Sequence, residues 1–595
     1  MKQEPAKINL NQALVLERLF IGFLEEMTGV ATIDSYRAKS ASARSVLAEL
    51  YQVLTDWKDK KIKSPDTVLV IRDEAFSLLE EDEYLKYGKI SKAFFLESLK
   101  ELKAEGKFIP LETILKVEYN LYYAIVLNAG YNRALLSGIE AILLKEYDDE
   151  SAFVLAQKSL NKLCSVLVAE LLNSGYSKVF IRLFMRYEFS KTDSNNFVER
   201  WNKFKNTFSN EVEKSYIIIF KVFVTVKGVL DADFGQIKTG IEEMKADFGL
   251  SGEEFSEFFE KSSLSNFVCL ETKSLDRFQA VVEARKQLST ILDIVHLLHP
   301  SSTQSIYSQA IAIERGDTST AHVVRYAGQN DGPKPNPKTY SKLISKLSQI
   351  RKNPAVAEDV SDKLYACIKH LRLSTESDDL EQNFLNCWIG LENIFANYFT
   401  ETSTFSRIKE NLVNAHLVTY VKRNVHNFDS MISGSSIKKQ ISSYNKHSID
   451  YLTDINSYDE IIALEDYYPI IAYRARYLKS VLFNGKRRIE YVTKHKKNLE
   501  RHLVRMYRIR NEIVHDAKSS YKLDNLYNNL VYYLTFILSK CIEYFYDCKQ
   551  KPILLHKIGL DDFFHYQQAI VGSMKKNEYS LTECMAAPHS VELFI

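Results

Sequence analysis

Near the C-terminal end of this 595-residue chain an arginine, an amide and a histidine fall close together, in Arg510-Asn511-Glu512-Ile513-Val514-His515. These three residue types suit phosphodiester chemistry. Arginine offers a permanently charged fork for phosphate oxygens, histidine can carry a proton near neutral pH, and the amide can orient either. Helical geometry brings some of them together. Asn511 and His515 are four apart and share a helix face. Arg510 lies about 140° round a straight helix from His515, at roughly 100° per residue, so its long stem must reach back. Arg508, seven residues before His515, lies almost directly beneath it and is a second candidate for the phosphate-binding arginine.

The stretch that must position these residues is long and basic. Residues 486–516 hold ten Lys or Arg against four acids, the strongest local charge feature in a chain whose formal net charge is only +2. Lys494, Lys497, Arg501, Arg505 and Arg508 form an approach to the Arg510–His515 segment that suits a polyanion. Tyr491 and Tyr507 are interleaved where they can stack on unpaired bases. Met506, Ile509, Ile513 and Val514 form the stripe expected to face a core. The same run also suits an ordinary solvated helix face, so charge and spacing leave both readings open.

The segment Leu503-Val504-Arg505-Met506-Tyr507-Arg508-Ile509-Arg510-Asn511-Glu512-Ile513-Val514-His515-Asp516-Ala517-Lys518 resembles the signature of HEPN domains. The likeness is to the Apea-like HEPN group of bacterial defence proteins, with an arginine, a polar residue after it, and a histidine a few positions on. The stretch Phe384–Phe395, with Trp388, Leu391 and Glu392, resembles the aromatic first core helix of that group. The resemblance covers roughly residues 360–550. It implies metal-independent RNA cleavage in a cleft between two HEPN domains, without a cofactor and leaving a 2′,3′-cyclic phosphate. His515 would be general base or general acid, Arg510 would stabilise the phosphorane-like charge, and Asn511 would orient the histidine or the phosphate. With one convincing motif per chain, a homodimer is implied, as is a role in anti-phage defence by abortive infection. The first 330 residues would sense a trigger, such as one derived from a phage, or hold the nuclease in check. The same resemblance also admits an idle HEPN module that dimerises or binds nucleotides or partners.

The chain is too long for one core, and its composition, 46% hydrophobic and 26% charged, is that of a globular protein. The expected fold is mainly α. Residues 1–210 read as a helical N-terminal region, through spacings of three and four such as Leu14–Leu24 and Thr113–Leu121. Residues 211–330 read as a small α+β unit. Its strands are expected at 215–227, 266–272, 310–314 and 321–326, and a long helix at 276–298 begins near Asp276. A Pro/Gly linker is expected at 331–339. A helical HEPN-like region follows over 340–550, with a polar insertion from about Ser403 to Asp454. The tail, 551–595, ends in the apolar residues Val591, Leu593, Phe594 and Ile595.

Seven cysteines without a CxxC pair read as buried reduced thiols. The N-terminus reads as an amphipathic helix and not as a secretory leader. No run reads as an uninterrupted apolar span, so a cytoplasmic protein with no membrane partner is expected. Walker A, HExxH, GxSxG and strand-linked GxGxxG patterns are absent from the sequence. Asp561, Asp562 and His565 read better as a helix cap than as metal ligands, and no metal site is expected. Residues 88–108 have the spacing of a winged-helix recognition helix and wing, or of any amphipathic helix ending in glycine. Arg423-Asn424-Val425-His426 has the wrong spacing to rival the Arg510 segment.

Overall fold

The computed structural model describes residues 12–29, 41–62, 64–88, 91–106, 108–189, 197–225, 241–260, 265–299, 304–325, 337–376, 379–397, 401–516, 523–548, 557–575 and 580–586. Across these the chain is mainly helical, with 74% helix, 22 α-helices and one four-stranded antiparallel sheet in the middle region. The N-terminal part is built from α1 (Gln12–Thr28), α2 (Ala43–Lys58), α3 (Pro65–Glu81), α4 (Lys92–Glu101), α5 (Leu111–Leu127), α6 (Tyr131–Leu143), α7 (Glu150–Ser174), α8 (Lys178–Phe189) and α9 (Phe197–Ser209). Proline and short polar side chains set the starts. Pro65 opens α3, Ser42 and Ser45 form a capping box on α2, and Asp149 caps α7.

By length and composition α7 passes for a membrane span, which the sequence reading did not anticipate. In this fold it packs against α1 and α6. Leu160, Leu167 and Leu171 lie in the core, and the buried Glu170 carboxylate pairs with Arg44. Of the alternative helix-and-wing reading of residues 88–108, the described residues show one bridge between Glu105 and Phe108, with Gly106 at φ +65°. The exposed residues of α4 include Glu97, Lys100 and Glu101, a face that does not suit a DNA duplex.

The middle unit runs β1 (Lys214–Val224), α10 (Ile241–Phe248), α11 (Glu253–Phe259), β2 (Ser265–Ser274), α12 (Arg277–Leu298), β3 (Gln304–Glu314) and β4 (Asp317–Arg325). Strand order is β2-β1-β3-β4, with Ile218 facing Leu270 on one side and Ala312 on the other. One face, with Ile218, Phe220 and Val222, packs on Ala280, Ala284 and Leu288 of α12. The other, with Ile219, Cys269 and Ile311, is covered by Phe255, Phe258 and Phe259 of α11. Burial on both faces explains why β1 reads as a nearly unbroken apolar run instead of alternating. Asp276 accepts from the Phe278 and Gln279 amides as the cap of α12. It also accepts from the Ser177 amide at 2.6 Å, tying the sheet unit to α8.

The C-terminal part comprises α13 (Pro337–Lys352), α14 (Glu358–Glu376), α15 (Leu380–Phe395), α16 (Thr404–Ser433), α17 (Ile455–Ile462), α18 (Pro469–Leu482), α19 (Gly485–Asp516), α20 (Leu523–Asp547), α21 (Leu560–Lys575) and α22 (Leu581–Ala586). The expected linker lies outside the described residues as far as 336, and Pro337 already begins α13. The apolar tail at Val591–Ile595 lies outside them too. The expected polar insertion is a correction: its first 30 residues form α16, which is central rather than peripheral. Leu412, Val418, Val425 and Phe428 are buried along it together with His416, Thr419 and Arg423. His416 and Arg423 are joined in one hydrogen-bonded group, as burial of such side chains favours. The Arg423 guanidinium donates to the Tyr532 hydroxyl at 2.6 Å and lies 3.1 Å from His416 Nδ1.

Candidate active site

The helix α19 runs 32 residues without a break and carries every residue singled out for phosphodiester chemistry. Its C-terminal half is held by buried Leu499, Leu503, Met506, Ile509 and Ile513. Val514, expected in that stripe, is 47% exposed instead, because it follows Ile513 by one residue and so turns roughly 100° off the buried line.

At its C-terminal end the structure joins two of the three motif residues. The Arg510 Nη1 donates to Asn511 Oδ1 at 3.2 Å, and both side chains are half-buried. Arg510 Nη2 also lies 3.8 Å from Glu392 Oε1 of α15, and that oxygen accepts from Trp388 Nε1 at 2.7 Å. The aromatic helix therefore sets a carboxylate near Arg510. Glu392 was not singled out for this role from the sequence, although its position four after Trp388 places both on one helix face. His515 stands exposed in the last turn of α19, beyond Arg510 and Asn511.

Arg508 and Arg505 do not join them, and both come off the expected RNA-facing surface. Arg508 is buried, its Nη2 2.8 Å from Glu49 Oε1 and its Nε 3.5 Å from Glu512. Arg505, also buried, forks onto Glu49 with Nε–Oε1 2.8 Å and Nη2–Oε2 2.5 Å, and reaches Glu74 at 3.0 Å. Glu49 and Glu74 come from α2 and α3, so these arginines hold the N-terminal helices against α19. Burial pushes the Glu49 carboxyl up, but the two guanidinium charges and their hydrogen bonds outweigh it and hold it at about 2.

The remaining expected RNA-binding residues are dispersed. Tyr507 stacks on Phe405 with centroids 4.1 Å apart and sits 5.9 Å from Trp388, which makes it a packing aromatic. Tyr491 likewise packs on Tyr420 at 4.8 Å. Arg501 donates to the Asp73 carbonyl at 3.3 Å. Lys494 and Lys497 are exposed, yet at 1.5 Å per residue they lie roughly 32 and 27 Å along the helix from His515.

No protein-family model matches the chain, and no curated protein or solved structure matches it. The geometry therefore stands by itself. An accessible guanidinium beside an amide can bind an anion, and an exposed imidazole can carry a proton. Among the described residues no group of three or more His, Cys, Asp or Glu could hold a metal ion. Asp561 is bonded to Arg407 and Asn397, and Asp562 accepts from the Gly559 amide, so both serve the start of α21.

Proposed function

We propose that the chain is a metal-independent endoribonuclease of the HEPN type, acting in anti-phage defence, with Arg510, Asn511 and His515 at its centre. The observation that carries this reading is the selective exposure at the end of α19. Of the two arginines open as the phosphate fork, Arg508 is buried against Glu49 while Arg510 remains accessible beside Asn511. In the proposed reaction the 2′-oxygen attacks phosphorus as His515 of one copy removes its proton. The bond to the 5′-oxygen breaks, and His515 of a second copy protonates the leaving oxygen. Arg510 stabilises the charge that develops on the phosphoryl oxygens. DNA, lacking the 2′-hydroxyl, is inert. The protein works in the cytoplasm as a homodimer through this region, and the N-terminal part restrains or triggers it.

The test is cleavage of total RNA in EDTA by wild type, His515→Ala and Arg510→Ala. Cleavage by wild type alone, leaving 2′,3′-cyclic phosphate ends, is expected, with both variants at least about 10²-fold slower, the low end of a general acid–base contribution. Equal cutting by His515→Ala refutes the assignment. Arg508→Ala should lose stability before it loses chemistry. A second reading, an idle dimerisation or partner-binding module, is favoured by Glu392, which offers Arg510 a carboxylate where a phosphate would sit. Growth arrest on expression that depends on His515 separates the two.

A further inference from the structure

Helix α5 is apolar on two faces. Its inner face buries Ile114, Val117, Leu121 and Ala124 in the N-terminal core. A surface helix ordinarily turns polar residues outward. Here Leu111, Leu115, Tyr119, Tyr122 and Val126 line up outward at steps of four, four, three and four, with Phe108 just before the helix, and all six are between 51% and 71% exposed. Their accessible area is on the order of 700 Å², more than the largest patch of a typical monomer and close to the ~800 Å² that each partner gives a standard interface.

We propose that α5 pairs with α5 of a second copy of this chain. The stripe is self-complementary. An antiparallel pairing about a two-fold axis beside Tyr119 sets Leu111 against the second copy's Val126 and Leu115 against its Tyr122, with the two Tyr119 rings at the centre. Such matching of one patch with itself is what a two-fold interface requires, and steps of three and four are those of an interhelical seam. The rim holds Glu112 and Lys116, the latter paired with Glu101 at 2.7 Å within its own chain. A membrane surface is the poorer fit, because an interfacial helix carries a basic polar face and α5 has none. This contact is separate from the pairing proposed at the end of α19. A chain with two different two-fold faces closes into a tetramer or extends into a filament.

The experiment is sedimentation of the full chain beside Leu115→Glu/Tyr122→Glu, whose two sites are exposed enough to leave the fold intact, as circular dichroism would verify. Wild type should sediment at twice the mass of the variant or more at low micromolar concentration or above, and His515→Ala should match wild type. A Tyr119→Cys chain, in a background where all seven native cysteines are buried, should cross-link to itself with a short bis-maleimide far faster than Tyr467→Cys. Equal masses for wild type and the double variant overturn the proposal. So do equal cross-linking at both positions, or α5-dependent binding to lipid vesicles without self-association.

Discussion

Glu49 and Arg505 are 456 residues apart in sequence and in contact in the fold, and their pairing fixes what the motif helix can expose. Removing the Glu49 charge leaves two buried guanidinium groups short of a counter-ion, and breaking a buried pair typically costs 3–5 kcal/mol. The depressed carboxyl gives an independent figure. A fall from 4.5 to about 2 corresponds to about 3 kcal/mol of stabilisation near neutral pH. The folded value lies below the ordinary one, so this contribution is complete above about pH 4.5 and drains away as pH falls towards 2. Urea denaturation of wild type and Glu49→Gln should therefore show a gap of that size at pH 7 that narrows between pH 4.5 and 3. A gap independent of pH would deny the carboxylate this role. At this scale the candidate site was partly legible. The spacing of Arg510, Asn511 and His515 marked them, whereas spacing alone set Arg508 beside His515 and missed Glu49. Local periodicity describes a helix surface and carries no information about which distant chain segment covers it.

Among the elements, the strands and the capped helix α12 were legible because their signals are local: β-branched runs for β1 and β2, and Asp276 at a helix start. Helix α16 was not. Asn414, His416, Thr419, Arg423 and Asn424 sit among its apolar residues and dilute the periodicity that would have marked it as core. Only the partners show why such residues tolerate burial: Tyr532 for Arg423, and the Tyr420 carbonyl for Asn424 at 2.7 Å. The stacking of His495 on Tyr420 at 3.7 Å and the hydrogen bond between His502 Nδ1 and the Tyr533 hydroxyl at 2.8 Å continue this polar seam between α16, α19 and α20. Close approach governs the neighbouring contact. A Cβ on Gly390 of α15 would come within 3.1 Å of Leu534 on α20 and 3.2 Å of His370 on α14. Gly390→Val should destabilise by about 1–3 kcal/mol through overpacking, read as a lower urea midpoint. An unchanged midpoint would mean that the three helices part without cost.

For the molecule as a whole, the N-terminal helices meet α18 and α19 through ion pairs around a small apolar contact. Gly22 and Phe23 approach Ile470 and Tyr473, Glu26 pairs with Arg474, and Gln157 joins Arg476 and Glu465. Further along α19, Glu49 and Glu74 take Arg505 and Arg508 out of what the sequence offered as a basic approach, so net local charge overstated its exposed charge. The seven cysteines are distributed across these parts and all are buried. Cys164 lies in the N-terminal core, Cys269 in the sheet, Cys367, Cys387, Cys541 and Cys548 in the C-terminal core, and Cys584 on the buried side of α22. Burial pushes the Cys164 and Cys541 thiols well above their usual range, so the native chain should resist alkylation at every position. That makes it a gauge of its own opening, read region by region through its native thiols. Because polar contacts join the two helical parts, Cys164 and Cys541 should become alkylated at different urea concentrations, as mass spectrometry of the labelled peptides would show. Coincident curves would mean that the N-terminal and motif-bearing parts come apart only as one.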